Sequence, residues 1–132
     1  MKSIGLKRND LVYPDLCYQI IGVLFNVWLG VGFGHKERFY QKAVAKDLTD
    51  AGLKFQEQAA SSVSYRGVKI GEYYFDFLIE NKIILEIKAR DYFSKNDITQ
   101  LYSYLKSVGL KLGIIAHFTR NGVKFKRVVN LN

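Results

Sequence analysis

The chain has 132 residues, 48% of them hydrophobic, with one proline and a net charge of +8 from 20 Lys+Arg against 12 Asp+Glu. That is enough chain for one buried core but not two, too apolar for a long disordered tract, and basic enough to attract a polyanion, with nucleic acid the first candidate. Its single cysteine, Cys17, excludes an intramolecular disulfide and a multi-cysteine zinc site and fits a reducing, cytoplasmic setting. The expectation is one domain over residues 1–132.

The apolar stretch 16–33 follows Lys2, Lys7 and Arg8, a pattern shared by signal peptides and membrane spans. Asp10 and Asp15 break the basic flank, however, and Gln19, Gly22, Asn26 and Gly30 fall on one polar or small helical face. The stretch therefore reads as a largely buried helix over about 15–30, with no membrane partner. Leu16, Ile20, Val23, Leu24, Val27, Trp28 and Val31 carry the core-facing spacing. A second helix is predicted over 35–51, with Phe39, Ala43, Val44 and Leu48 inward and Gly52 as its stop.

From residue 54 onward β-branched and aromatic residues dominate, predicting strands near 54–64, 69–79 and 83–89, with a turn at Arg66-Gly67. Ser94 with Asp97 three residues on starts a third helix, whose stripe is Ile98, Leu101, Leu105 and Val108 and whose end is Gly109. Strands over 110–118 and 123–129, separated by Asn121-Gly122, complete the order α-α-β-β-β-α-β-β. That order predicts an α/β fold with a mixed β-sheet flanked by helices, the last long helix serving as the crossover between parallel strands.

Two short segments carry the chemistry. Asp76 lies in Tyr73-Tyr74-Phe75-Asp76-Phe77, a setting too apolar to welcome a carboxylate without a reason. In Ile83-Ile84-Leu85-Glu86-Ile87-Lys88, Glu86 and Lys88 are two apart on a strand and share a face. Hairpin register decides whether Asp76 joins them. A three-residue loop of Glu80, Asn81 and Lys82 pairs 79 with 83, 76 with 86 and 74 with 88, whereas a two-residue loop sends the carboxylates to opposite faces. Two facing carboxylates repel unless a cation sits between them. An all-oxygen donor pair suits Mg²⁺ or Mn²⁺ rather than zinc. Asp76 and Glu86 are thus candidate metal ligands, with Lys88 placed to orient a water and stabilise charge on a phosphate. The alternative is a cross-strand ion pair on a solvated face.

Gly34-His35-Lys36-Glu37-Arg38-Phe39-Tyr40 fits Gly-x-x-Glu-x-x-Tyr. Gly71-Glu72-Tyr73, the Glu86-Ile87-Lys88 strand and Gln100-Leu101-Tyr102-Ser103-Tyr104 followed by Gly109-Leu110-Lys111-Leu112-Gly113 come after it in order. With these blocks, over about residues 15–129, the chain resembles the GxxExxY proteins, a branch of the PD-(D/E)XK nuclease superfamily. Members often carry Gly-Pro-Gly where this sequence has Gly32-Phe33-Gly34. The resemblance implies a restriction-endonuclease-like core, with Asp76, Glu86 and Lys88 as the catalytic triplet, Glu37 as an additional acid from the preceding helix, and Gln100 as the helix glutamine beside the site.

By spacing alone, Glu37 and Tyr40 share one helix face, as do Gln100 and Tyr104, and Tyr104 reads as a core-rim aromatic. His35 and His117 have no partner at metal spacing and read as incidental. Lys36, Arg38, Arg90 and Lys95 are candidate phosphate contacts. The leading expectation is a metal-dependent nuclease that hydrolyses nucleic-acid phosphodiesters, with DNA favoured by analogy. Two other classes fit as well: a catalytically silent nucleic-acid-binding module of the same fold, and a structural subunit whose aromatic surface, 14% of residues, mediates oligomerisation such as a homodimer.

Overall fold

The computed structural model describes residues 12–131; Lys2, Lys7, Arg8 and Asp10 lie outside them. In chain order the elements are α1 (Pro14–Val31), α2 (Glu37–Asp50), β1 (Phe55–Tyr65), β2 (Val68–Ile79), β3 (Ile83–Lys88), α3 (Lys95–Val108), β4 (Leu112–Thr119) and β5 (Gly122–Val129). The predicted order holds, with boundaries shifted by a residue or two. The five strands form one sheet in the order β1-β2-β3-β4-β5. Only β3 and β4 run parallel, joined through α3, and the remaining neighbours are antiparallel.

Helices cover both faces of this mixed sheet. On one side α1 and α2 bury Ile20, Leu24, Val44 and Leu48 against Phe77, Ile79, Leu85, Ile114 and Phe118. On the other, α3 buries Leu101, Tyr104 and Leu105 against Phe75, Ile84, Ile115 and Val128. All eight residues of β4, the strand between two neighbours and two helical layers, are buried. Gly113 on β4 is required by close approach, since a Cβ there would lie 2.7 Å from the Leu101 side chain. Ser94 caps α3 by accepting a hydrogen bond from Asn96 N–H, and Gly109 ends it in the left-handed conformation at φ 75°.

Two expectations about the helices need correction. Phe39 is not inward: it is exposed, and Tyr40 takes the core position, stacked on Phe118 at a ring-centroid distance of 4.4 Å. The Tyr40 hydroxyl donates to the Gly32 carbonyl at 2.6 Å, so this ring fastens the α1–α2 loop and does not look into a cleft. Nor is α1 largely buried. It packs through Cys17, Ile20, Val23, Leu24 and Val27, while Tyr18 and Leu29 are 82% and 74% exposed on its outer side. Among the described residues, α1 is the one helix long and apolar enough to cross a membrane by length and composition. Its buried stripe is packed against the sheet as a domain helix would be.

The β2–β3 hairpin adopts the register that the three-residue loop requires, with Ile79 opposite Ile83 and Phe77 opposite Leu85. Glu80 and Asn81 both take positive φ there, at 53° and 56°. The ladder then stops, so the expected backbone pairs 76 with 86 and 74 with 88 do not form. β2 leaves β3 after Phe77 yet stays paired with β1 out to the Tyr65–Val68 turn, so the far part of that hairpin runs on as a two-stranded ribbon. Residues two apart on a regular strand share a face, but Phe77 packs in the α1/α2 core and Phe75 in the α3 core. The change of side falls at Asp76, where the β1 ladder skips a pair and the facing Gln58 has φ 50°.

Candidate active site

Where β2 and β3 separate, side chains replace the missing ladder bonds. Asp76 N–H donates to Glu86 Oε1 at 2.8 Å, and Ile87 N–H donates to Asp76 Oδ2 at 2.7 Å. The two acids are thereby locked to each other's strand, a backbone–carboxylate exchange in place of a backbone–backbone one. From α2, Gln41 Nε2 donates to Asp76 Oδ1 at 2.9 Å, so both Asp76 oxygens are held. Gln41 is one turn beyond Glu37 on the same helix face. That i,i+4 relation to Glu37 is the signal the sequence carries for Gln41.

Burial and like charge set the protonation of the pair. Desolvation raises the Asp76 carboxyl above its ordinary value, offset by the Ile87 N–H, with Glu37 raising it and Lys88 and Gln41 lowering it further. Glu86 is pushed up to about 7, first by desolvation and then by the Asp76 charge, against the lowering effects of the Asp76 N–H and of Lys88. Glu37, half-buried at the first residue of α2, acts on both acids through its charge. Among the described residues no three His, Cys, Asp or Glu side chains gather closely enough to cage a metal.

Glu86, Lys88 and Gln100 line one cavity together with Tyr73, Tyr74 and Phe75 of β2, with Asp97 and Leu101 of α3 and with Ile115 of β4. Its volume is about 40 Å³, room for a few waters. Asp76 thus meets Glu86 where the strands part, Glu86, Lys88 and Gln100 share the cavity, and Glu37 on α2 acts on both acids through its charge. The candidate phosphate contacts are more dispersed. Lys36 is the N-cap of α2 and Lys95 opens α3, both exposed. Arg38 is exposed with its guanidinium 5.4 Å from the Phe39 ring centroid. Arg90 is ion-paired with Asp97 and lies over Tyr92.

His117, set aside in the sequence, pairs with Lys88 across the parallel β3–β4 ladder and is 1% exposed. Its ring meets Phe93 at 3.8 Å between centroids, and neither ring nitrogen has a hydrogen bond of good geometry. The Tyr92 backbone comes near enough to favour the protonated form a little. Burial, and then the charges of Arg90 and Lys88, lower its pKa to about 4, so it is neutral at pH 7. His35, by contrast, is exposed on the α1–α2 loop with Nε2 3.0 Å from the Val31 carbonyl.

The chain is similar in fold to the crystal structure of SSO0001, at TM-score 0.55 and 17% identity, covering 93% of this chain and 60% of that one. It is also similar to an alkaline exonuclease from Laribacter hongkongensis, at TM-score 0.52 and 11% identity, covering 98% and 72%. The chain thus spans about 60% of the length of the first of these structures. No curated protein sequence matches it. The sequence profile of the PD-(D/E)XK nuclease superfamily matches residues 14–128, nearly the whole chain, and the protein belongs to that superfamily.

Proposed function

We propose that this protein is a metal-dependent nuclease that hydrolyses phosphodiester bonds of nucleic acid, DNA in the first instance, at a site built by Asp76, Glu86 and Lys88. The observation that carries the reading is the carboxylate pair itself: two half-buried acids, interlocked across the point where β2 leaves β3, with Lys88 on the same strand side as Glu86. Burying two like charges together is unfavourable; desolvation first and the Asp76 charge second push Glu86 up to about 7, and a bound cation would offset both.

Nucleases of this superfamily generally use divalent metal ions. The donor set here fits such an ion: two carboxylates and no sulfur or imidazole, short of a full cage, which leaves positions for water and substrate oxygens as Mg²⁺ or Mn²⁺ prefer. When bound, the ion would polarise a phosphoryl oxygen and acidify a water. Asp76 and Glu86 would hold it, with Gln41 and Ile87 N–H fixing the Asp76 carboxylate in place. Lys88 orients the attacking water and balances charge developing on the phosphate, and Gln100 bounds the same cavity from α3. Glu37 adjusts the protonation of the pair, while Lys36, Arg38 and Lys95, exposed near the starts of α2 and α3, and Arg90, paired with Asp97, are the proposed phosphate contacts.

Within the superfamily we assign the chain to the GxxExxY branch, and a physical reason supports the motif. Gly34 has φ 101°, Tyr40 fastens the loop to Phe118 and Gly32, and that anchoring orients the first turn of α2 so that Glu37 and Gln41 reach the acids. The setting proposed is cytoplasmic, with the chain acting as one domain. The alternative is a nucleic-acid-binding module of the same fold that does not cut. Incubation with linear, circular, nicked and branched DNA in Mg²⁺, Mn²⁺ or EDTA decides between them. Cleavage that EDTA abolishes supports the nuclease; binding without cleavage in every metal and geometry supports the module.

A further inference from the structure

Past the Phe77–Leu85 pair the β1–β2 hairpin leaves the rest of the sheet as a ribbon, and this ribbon borders the acids directly. Tyr73, Tyr74 and Phe75 all line the candidate cavity, but only one of the three rings is uncommitted. Phe75 meets Tyr104 of α3 at 3.7 Å between centroids and Tyr73 meets the same ring at 6.4 Å, so both belong to the α3 core. Tyr74 alternates with them along β2, so its ring is not drawn into the α3 core, while the residue still borders the cavity. It is 59% exposed.

Three features make the Tyr74 ring a prepared surface. Its cross-strand partner is Ala60, within the run Ala59-Ala60-Ser61-Ser62, so β1 offers no bulk to cover the ring. Its hydroxyl donates to Glu72 at 2.8 Å, which fixes the far end of the ring and leaves its faces open. It stands two positions from Asp76, about 7 Å along a strand. The cavity behind it, about 40 Å³, admits water-sized groups and not a planar base. Any base next to a phosphate held at Asp76 and Glu86 therefore stays on the rim, where Tyr74 stands. A base inside a duplex has both faces covered by its neighbours, whereas an unpaired base presents a face to an aromatic ring.

We propose that Tyr74 is a stacking platform for an unpaired base adjoining the scissile phosphate, so that the site takes single-stranded or frayed nucleic acid in preference to continuous duplex. The proposal rests on the nuclease reading only for the position of that phosphate. Stacking engages the base and not the sugar, so deoxyribo- and ribo-oligonucleotides are held alike by this ring.

The test is fluorescence anisotropy in EDTA with short labelled single-stranded DNA, the matching RNA, and a hairpin duplex, for the parent, Tyr74→Ala and Tyr74→Trp. Tyr74→Ala is expected to weaken both single strands about tenfold while leaving the duplex within about twofold, and Tyr74→Trp to restore the single strands. The salt slope stays unchanged, because no cation is removed. An alanine variant that binds single strands like the parent, or loses single strands and duplex equally, overturns the proposal, as does a parent that binds no single strand. Cleavage in Mg²⁺ is a separate arm. A parent that needs Tyr74 for strand binding but cuts nothing defeats the nuclease reading and supports the stacking surface. Single-strand cutting that Tyr74→Ala leaves unaltered in rate and KM overturns the stacking surface and keeps the nuclease.

Discussion

Burial sets the protonation of Glu86 before any ligand arrives, and the consequence is measurable as stability. Its folded pKa of about 7 lies above the ordinary 4.5, so the folded protein binds the extra proton more tightly. The associated stabilisation is fully present below the unfolded value and is lost as pH rises through about 7. Glu86→Gln keeps the shape and removes the titration. Thermal melts of parent and variant in EDTA should differ little at pH 5, and the variant should gain a few degrees over the parent by pH 8. Adding Mg²⁺ at pH 8 should raise the parent's Tm but not the variant's. A difference between the two that is flat with pH would mean that Glu86 is not raised by its surroundings. At this scale the sequence was legible for Asp76, Glu86 and Lys88, because a charged residue in an apolar strand is conspicuous. It was silent on Gln41 and on the burial of His117 opposite Lys88: a polar side chain on a helix, or a histidine in a buried strand, acquires its neighbours only when distant elements pack.

At the scale of elements, the geometry turns on one hairpin and one glycine. Loop arithmetic at Glu80, Asn81 and Lys82 gave the register as far as Phe77 and Leu85, since side-chain alternation and loop length are both local. The departure of β2 from β3 was not legible, because it arises where two carboxylates outcompete the backbone for the N–H groups of Asp76 and Ile87. Exchange of Phe39 for Tyr40 in the core has a similar origin: helical period allows either, and the tertiary partners Phe118 and Gly32 select the tyrosine. Gly113 gives the sharpest test of element packing. Gly113→Val should push Leu101 off its seat under the cavity and cost about 1–3 kcal/mol, read from urea denaturation. A loss below about 0.5 kcal/mol would show that α3 does not sit so close to β4.

For the molecule as a whole, net charge of +8 contrasts with acids at the sheet opening, so positive charge must come from around the site. Lys36 and Lys95 sit exposed at the starts of α2 and α3, two helix ends whose dipoles also favour anions. Affinity for DNA should fall log-linearly with salt, and Lys36→Ala or Lys95→Ala should each reduce that slope by about one. A slope unchanged in both variants would move the phosphate track elsewhere on the surface.

The most direct measurement pairs cleavage in Mg²⁺ with DNA binding in EDTA for the parent, Asp76→Ala, Glu86→Ala and Lys88→Ala. Losing either carboxylate should reduce cleavage by at least about a hundredfold, since the metal and its charge stabilisation go with it, while binding in EDTA stays equal or rises because a negative charge facing phosphate is gone. Lys88→Ala should reduce cleavage with metal affinity kept and weaken DNA binding modestly. Variants that cut as fast as the parent would show that the interlocked pair at the sheet opening does not carry the chemistry.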